Sequence, residues 1–217
     1  MATKKRKNPK KQMNKISVAV TILIILFGMG IFIFVYRNEI SHKVDKITPS
    51  AFNYPTKYEE YVVKYSKKYK VDPVLVYSVI KVESNFDPDA RSDVGARGLM
   101  QIMEDAYDWI KFRLNDNEST GYDDMYDPET NIKYGSYYLS YLMDKYDNSI
   151  ELTAAAYHCG MGMVDSWIED GIIDKDNFDV KDIPDENDQT SYYVTKIMDA
   201  YEGYSKQLST SGKSDSE

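Results

Sequence analysis

The stretch from Asp72 to Phe86, DPVLVYSVIKVESNF, constrains the fold of this chain more than any other. Its Asp-Pro start sets a helix N-terminus. Asp72 supplies the cap, and Pro73 takes the first helical position, where no N–H is needed. At about 100° per residue, Leu75, Val76, Val79, Ile80, Val82 and Phe86 fall on one face. That face has to be buried, so the helix must pack into a core. Glu83 lies on the same face, three residues after Ile80 and four after Val79. A carboxylate in an apolar stripe is costly to ionise, and its pKa rises. Such a group holds a proton near neutral pH, as a general acid must. The alternative is a frayed helix end at which Glu83 simply reaches water.

The residues after Glu83 bear on that choice. Ser84 comes next, and after a polar loop (Asp87–Arg97, broken by Pro88 and Gly95) the chain reads Gly98-Leu99-Met100-Gln101. Further on stand Ala156-Tyr157-His158 and Tyr193-Val194. With Glu83-Ser84 these are four short motifs in order. Across roughly Tyr58 to Tyr204 the chain resembles the lytic transglycosylases, the goose-lysozyme-like enzymes that cut peptidoglycan glycan strands. The resemblance implies a mostly α, lysozyme-like (goose-type) fold with Glu83 as catalytic residue. It also implies a substrate-binding set of Ser84, Gly98, Met100, Gln101, Tyr138, Tyr157, His158 and Tyr193, with Gly135 approaching the groove beside Tyr138.

The residues themselves leave room beside those assignments. Gln101 offers one acceptor and two donors, suited to a sugar hydroxyl or acetamide; otherwise it is a loop amide in water. Met100 is either core filler or the floor of the sugar groove, and the resemblance favours the second. Gly135 and Tyr138 also read as helix packing. Two positions depart from the family pattern. His158 stands where the family has Asn, and a histidine there titrates near neutral pH. Gln189 stands where the family has Glu.

The resemblance also implies a reaction needing only one carboxylate. Glu83 protonates the glycosidic oxygen, then takes the proton of the sugar's own 6-hydroxyl, which closes a 1,6-anhydro ring. The substrate acetamide helps to carry the positive charge, steadied by Tyr193. Two other readings compete. A hydrolytic muramidase on the same fold would need Asp87, Asp89 or Asp93 to hold a water. A non-catalytic glycan-binding scaffold of an envelope-spanning machine would treat His158 and Gln189 as signs of decay.

Upstream, Ile16–Val35 carries no charge. At 1.5 Å per residue it spans about 30 Å, the thickness of a bilayer core. Lys4, Lys5, Arg6, Lys7, Lys10, Lys11 and Lys15 precede it, which places the N-terminus in the cytoplasm and the remainder outside, facing the cell wall. A cleaved signal peptide would have a shorter apolar core ending in small residues. Here the run ends Phe34-Val35-Tyr36-Arg37, which favours an uncleaved single-pass membrane anchor. The expected organisation is a basic tail (1–15), an anchor (16–36), a stalk (37–54), the catalytic domain (55–207) and a disordered tail (208–217).

Charge narrows the partners. Residues 1–46 hold ten Lys+Arg and two Asp+Glu, a balance of +8, so a chain of net −8 leaves −16 on the remainder. Nucleic acid would be repelled by such a domain. The partners expected are peptidoglycan strands and, through residues 16–35, the lipid bilayer; partners in an envelope complex stay unknown. With two His and one Cys, Cys159 directly after His158, no metal site is expected and no internal disulfide can form. No phosphate-binding loop or Ser-His-Asp set appears, and no cofactor is expected. Without sustained period-2 alternation, helices are expected throughout: Thr56–Lys70, Asp105–Arg113, one from Asp127-Pro128, Glu151–Tyr157, a segment through Trp167 to Gly171, and Asp188–Gly203.

Overall fold

The structure, a computed structural model, describes residues 54–116, 121–184 and 189–211. The expected basic tail and anchor, with all but the last residue of the expected stalk, lie outside the described residues. Among the described residues, no helix is long and apolar enough to cross a membrane.

Among the described residues, seven α-helices make the domain: α1 (Glu59–Tyr69), α2 (Pro73–Ser84), α3 (Glu104–Leu114), α4 (Pro128–Lys145), α5 (Ile150–Cys159), α6 (Met161–Glu169) and α7 (Gln189–Ser211). Short 3-10 turns at Tyr122–Tyr126 and Val180–Asp182 interrupt the loops. The only extended pairing among the described residues is a pair of isolated bridges, Arg91 with Arg97 and Arg97 with Ile102.

Both Asp-Pro starts act as the sequence implies. Asp72 accepts from the Val74 N–H at 2.8 Å, and Asp127 from the Thr130 N–H at 2.8 Å. Each satisfies one of the donors a helix start leaves open, worth about 1 kcal/mol. The stripe on α2 is broader than its periodicity suggests. Leu75, Val76, Tyr77, Ser78, Val79 and Ile80 are all buried, so this helix is covered all round. The cause is its position: α7 packs along it, with α1 and α4 on other sides. Burying each of its Leu, Ile and Val side chains contributes about 1.5–3 kcal/mol. Helix α1 lies against α4, and α5 fills the space between α4, α6 and α7.

Helix α7 does not stop at Gly203. It continues through Ser205 to Ser211, so the first part of the expected disordered tail, residues 208–211, is helical. Gly203 is there for a packing reason. A Cβ on it would stand 1.9 Å from Cζ of Tyr54, whose ring lies over the helix at this point. The Gly is therefore a seat for an aromatic ring, and its usual meaning as a helix stop does not apply.

Candidate active site

Helix α2 ends where it does because two successive residues, Asn85 (φ 50°) and Phe86 (φ 67°), adopt left-handed backbone. The chain turns sharply, and the Phe86 ring returns to the core 6.4 Å from that of Tyr77. Glu83 is left on the last helical turn, part-buried rather than frayed into water. Tyr193, from the second turn of α7, donates its hydroxyl to Glu83 Oε1 at 2.6 Å. Burial pushes the Glu83 carboxyl up to about 7, and the Tyr193 hydrogen bond opposes part of that rise. Burial and the Glu83 charge also push the Tyr193 hydroxyl well up, so it stays a donor.

His158, on the last turn of α5, stacks its ring on that of Tyr193, with centroids 4.7 Å apart and planes at 27°. Its Nδ1 lies 3.1 Å from Thr190 Oγ1. The ends of α2 and α5 and the start of α7 enclose an open recess of about 320 Å³, at the small end of ligand sites. Val82, Glu83 and His158 form one wall; Gln189, Tyr192, Tyr193 and Lys196 form the other. Of the expected site residues, the recess brings together Glu83, His158 and Tyr193.

The others are not on its lining. Residues 97–102 form a tight hairpin, with Arg97 and Ile102 exchanging N–H···O bonds at 3.1 Å. Its tip is Gly98-Leu99-Met100-Gln101. Gly98 (φ 74°) has no room for a side chain, since a Cβ would stand 2.1 Å from the Met125 carbonyl oxygen. Gln101 also takes left-handed backbone (φ 47°) and spends its amide nitrogen on the carbonyls of Ala90 (3.1 Å) and Gly98 (3.0 Å). Met100 is fully buried, its side chain lying directly over Gly135. It packs as core, and no surface is left to floor a sugar groove. Ser84 donates to the Leu99 carbonyl at 2.8 Å, with the Ile80 carbonyl 3.2 Å away, which straps the hairpin to α2.

Tyr157 donates to the Met100 carbonyl at 2.7 Å, and its ring lies 5.5 Å from that of Tyr138, which in turn meets Trp109. Burial pushes the Tyr138 hydroxyl up to about 12 and the Tyr157 hydroxyl well above its usual value. The Glu83 charge adds to the Tyr157 shift. Cys159 is part-buried, its sulfur 3.9 Å from the Gly160 carbonyl.

Sequence reasoning missed two groups. One is Asn131, fully buried on α4. Its Oδ1 accepts from Met100 N–H (2.8 Å), and its Nδ2 donates to the carbonyls of Arg97 (3.0 Å) and Met125 (2.8 Å). Nothing in the sequence marks this amide among the other polar residues of α4. The other group is the α7 wall. There Lys196 went unnoticed; it stands three residues after Tyr193, so once Tyr193 is placed in a site, helical spacing puts Lys196 on the same face as Tyr193 and the already noted Gln189. The candidate bases of the hydrolytic reading, Asp87, Asp89 and Asp93, are exposed and do not line the recess; Asp87 accepts from the Asp89 N–H in its own loop.

Residues 60–177 match the family described as the transglycosylase SLT domain. The chain is 34% identical over 155 residues to the soluble lytic murein transglycosylase of Escherichia coli K12, covering 70% of this chain and 23% of that protein. It is 40% identical over 82 residues to membrane-bound lytic murein transglycosylase E of Buchnera aphidicola, 37% of each. In structure it is similar to the 70 kDa soluble lytic transglycosylase from Escherichia coli, with TM-score 0.65 and 26% identity, over 71% of this chain and 25% of that one. It is also similar to an inactive glutamate-to-glutamine mutant of lytic transglycosylase Slt from Pseudomonas aeruginosa, with TM-score 0.62 and 25% identity, over 72% and 25%. The chain thus spans about a quarter of the length of the soluble relatives it matches.

Proposed function

The chain belongs to the transglycosylase SLT domain family, and from that premise we propose that it is a membrane-anchored peptidoglycan lytic transglycosylase. The observation that carries this reading is Glu83. Among the described residues it is the one carboxylate on the recess, it is held by Tyr193, and burial raises it to about 7. It is protonated at mildly acidic pH and can lose that proton without leaving the neutral range.

One such residue serves both halves of the reaction. Glu83 gives its proton to the oxygen that bridges N-acetylmuramic acid to N-acetylglucosamine, and the C1–O bond breaks. The resulting carboxylate takes the proton from the 6-hydroxyl of the muramyl sugar. Its O6 bonds to C1, giving a 1,6-anhydro ring with no water consumed. Tyr193 holds Glu83 in place through both transfers; with its hydroxyl committed to Oε1, it positions the acid as well as facing the sugar. The solvent-exposed positions of Asp87, Asp89 and Asp93, away from the recess, favour this route over hydrolysis, which places a second carboxylate across the bond.

The anchor is Ile16–Val35, with the N-terminus cytoplasmic and the domain facing the wall. The charge asymmetry around that stretch supports it, and some relatives in the family are named as membrane-bound. The test of the chemistry is mass spectrometry of muropeptides released from purified sacculi by the full chain. Anhydro-muramyl ends are expected; ends heavier by one water would replace the lytic reading with the hydrolytic one.

A further inference from the structure

The recess has an uneven charge inventory. Among the described residues its one carboxylate is Glu83, which is neutral below about pH 7. Gln189 contributes an amide and no charge, and among the described residues Lys196 is the only Lys or Arg on the lining. Lys64, Lys133, Lys145, Lys175, Lys181 and Lys206 each pair with a carboxylate, whereas among the described residues Lys196 pairs with none. Instead its Nζ sits 4.4 Å from the ring centroid of Tyr192, which is 62% exposed. A cation held over an aromatic face has part of its ordering cost already met, and Lys196 is exposed, so its three-donor ammonium is open to a ligand. The rest of the domain is strongly acidic and repels anions. Among the described residues, Lys196 is thus the one Lys or Arg at the lip of the recess, and it favours an anionic part of a ligand beside it.

We propose that Lys196 and Tyr192 form an anion subsite that takes a carboxylate of the acidic arm carried by the muramyl sugar. The proposal rests on the lytic transglycosylase reading and adds a selectivity to it: acidic strands are preferred to neutral glycans of the same length. Lys196 stands three residues after Tyr193, about 4.5 Å along the helix axis, so the arm runs along α7 away from Glu83. Two sources supply such a carboxylate. Peptide-bearing strands carry it on the stem, and strands stripped of peptide carry it on the exposed lactyl group.

Binding separates these cases without relying on turnover. The full chain carrying E83Q is compared with E83Q/K196M and E83Q/K196R against three ligands: neutral chitooligosaccharide, peptide-bearing strand fragments, and amidase-stripped fragments. Lys196→Met is expected to lower the preference for acidic over neutral ligand by about threefold to tenfold, the range of a partly exposed charge-assisted contact. Lys196→Arg should restore it, and raised salt should erode it. A loss confined to peptide-bearing fragments assigns the stem carboxylate; one confined to stripped fragments assigns the lactyl group. Equal weakening toward neutral and acidic ligands, or no change with any, overturns the subsite. A wild-type chain that releases no anhydro products would instead strike the lytic reading and leave these binding ratios standing.

Discussion

Around Glu83 the polar side chains face an open recess, whereas around Gly98–Gln101 they face the protein. Glu83 has one neighbour holding it, Tyr193, and its charge is resisted by burial. In the hairpin, Gln101, Ser84 and Asn131 spend their hydrogen-bonding capacity on backbone carbonyls and N–H groups. The two regions lie side by side and carry neighbouring motifs, but they do different work. One keeps a reactive group poorly solvated and available. The other is satisfied internally, as buried polar groups must be, and fixes the backbone against which α2 ends. A short motif can thus mix a chemical residue with a scaffold residue, and hydrogen-bond partners tell them apart.

The largest effect expected from this contrast is on rate. Glu83→Gln should lower turnover of sacculi by about 10²–10⁴ or more, since Gln is close in shape but passes no proton. Circular dichroism and strand binding should stay near those of the wild type. Retention of more than about a tenth of wild-type turnover would remove Glu83 from the centre of the chemistry. The same substitution has a signature in stability. The carboxyl is raised from 4.5 in the unfolded chain to about 7 in the fold. A raised group contributes stability at low pH that is lost as pH rises through the folded value. Wild type should therefore lose stability relative to Glu83→Gln between those two pH values, with a constant gap above them.

Asn131→Ala should do the opposite, acting on stability far more than on rate. It leaves the Met100 N–H and the Arg97 and Met125 carbonyls without their partner in a buried place. The loss should be about 2–4 kcal/mol in denaturant unfolding. Turnover per folded molecule at low temperature should fall much less than for Glu83→Gln. A stable Asn131→Ala protein would mean that the hairpin is held by other contacts.

Tyr193→Phe tests the one bond between the recess and its acid. The Tyr193 hydrogen bond lowers the Glu83 pKa, so its removal should raise it. Activity that needs protonated Glu83 fades as pH rises through that value, and in the Phe variant this fading should move to higher pH. An unmoved limb would show that Tyr193 does not tune the acid. The smallest effect should come from His158→Asn. Its ring is exposed and stacks on Tyr193, and Asn keeps a polar side chain there without titrating. Turnover should stay within a few-fold of wild type. Complete loss in a folded protein would give His158 chemistry of its own.

Much of the frame is legible in the sequence because it rests on local signals. The two Asp-Pro starts and the apolar spacing of α2 identify helices whatever packs on them, and a carboxylate in that stripe marks itself by its cost. The hairpin is harder. Gln101 reads as a free amide until the left-handed backbone at Gly98 and Gln101 folds it onto Ala90. Met100 reads as groove or core until Gly135 is placed beneath it. Asn131 acts across a sequence gap of more than thirty residues, which no local pattern reports. The end of α7 lies beyond its expected place because Gly203 answers to Tyr54, far away in the chain.

That last contact has a mechanical consequence. Where the chain enters the domain it is fastened to the C-terminal half of α7: the Gln207 amide donates to the Tyr54 carbonyl at 2.8 Å, the Tyr204 hydroxyl donates to the Pro55 carbonyl at 2.8 Å, and the Tyr54 ring packs edge-on against Tyr204. Tension arriving at Tyr54 is thus passed into α7 before it reaches α1. The same helix, about 15 Å further back along its axis, carries Tyr193 and its grip on Glu83. A pull on the entering chain would load the helix that aims the acid, and the clasp around Gly203 divides that load between two hydrogen bonds and a ring contact.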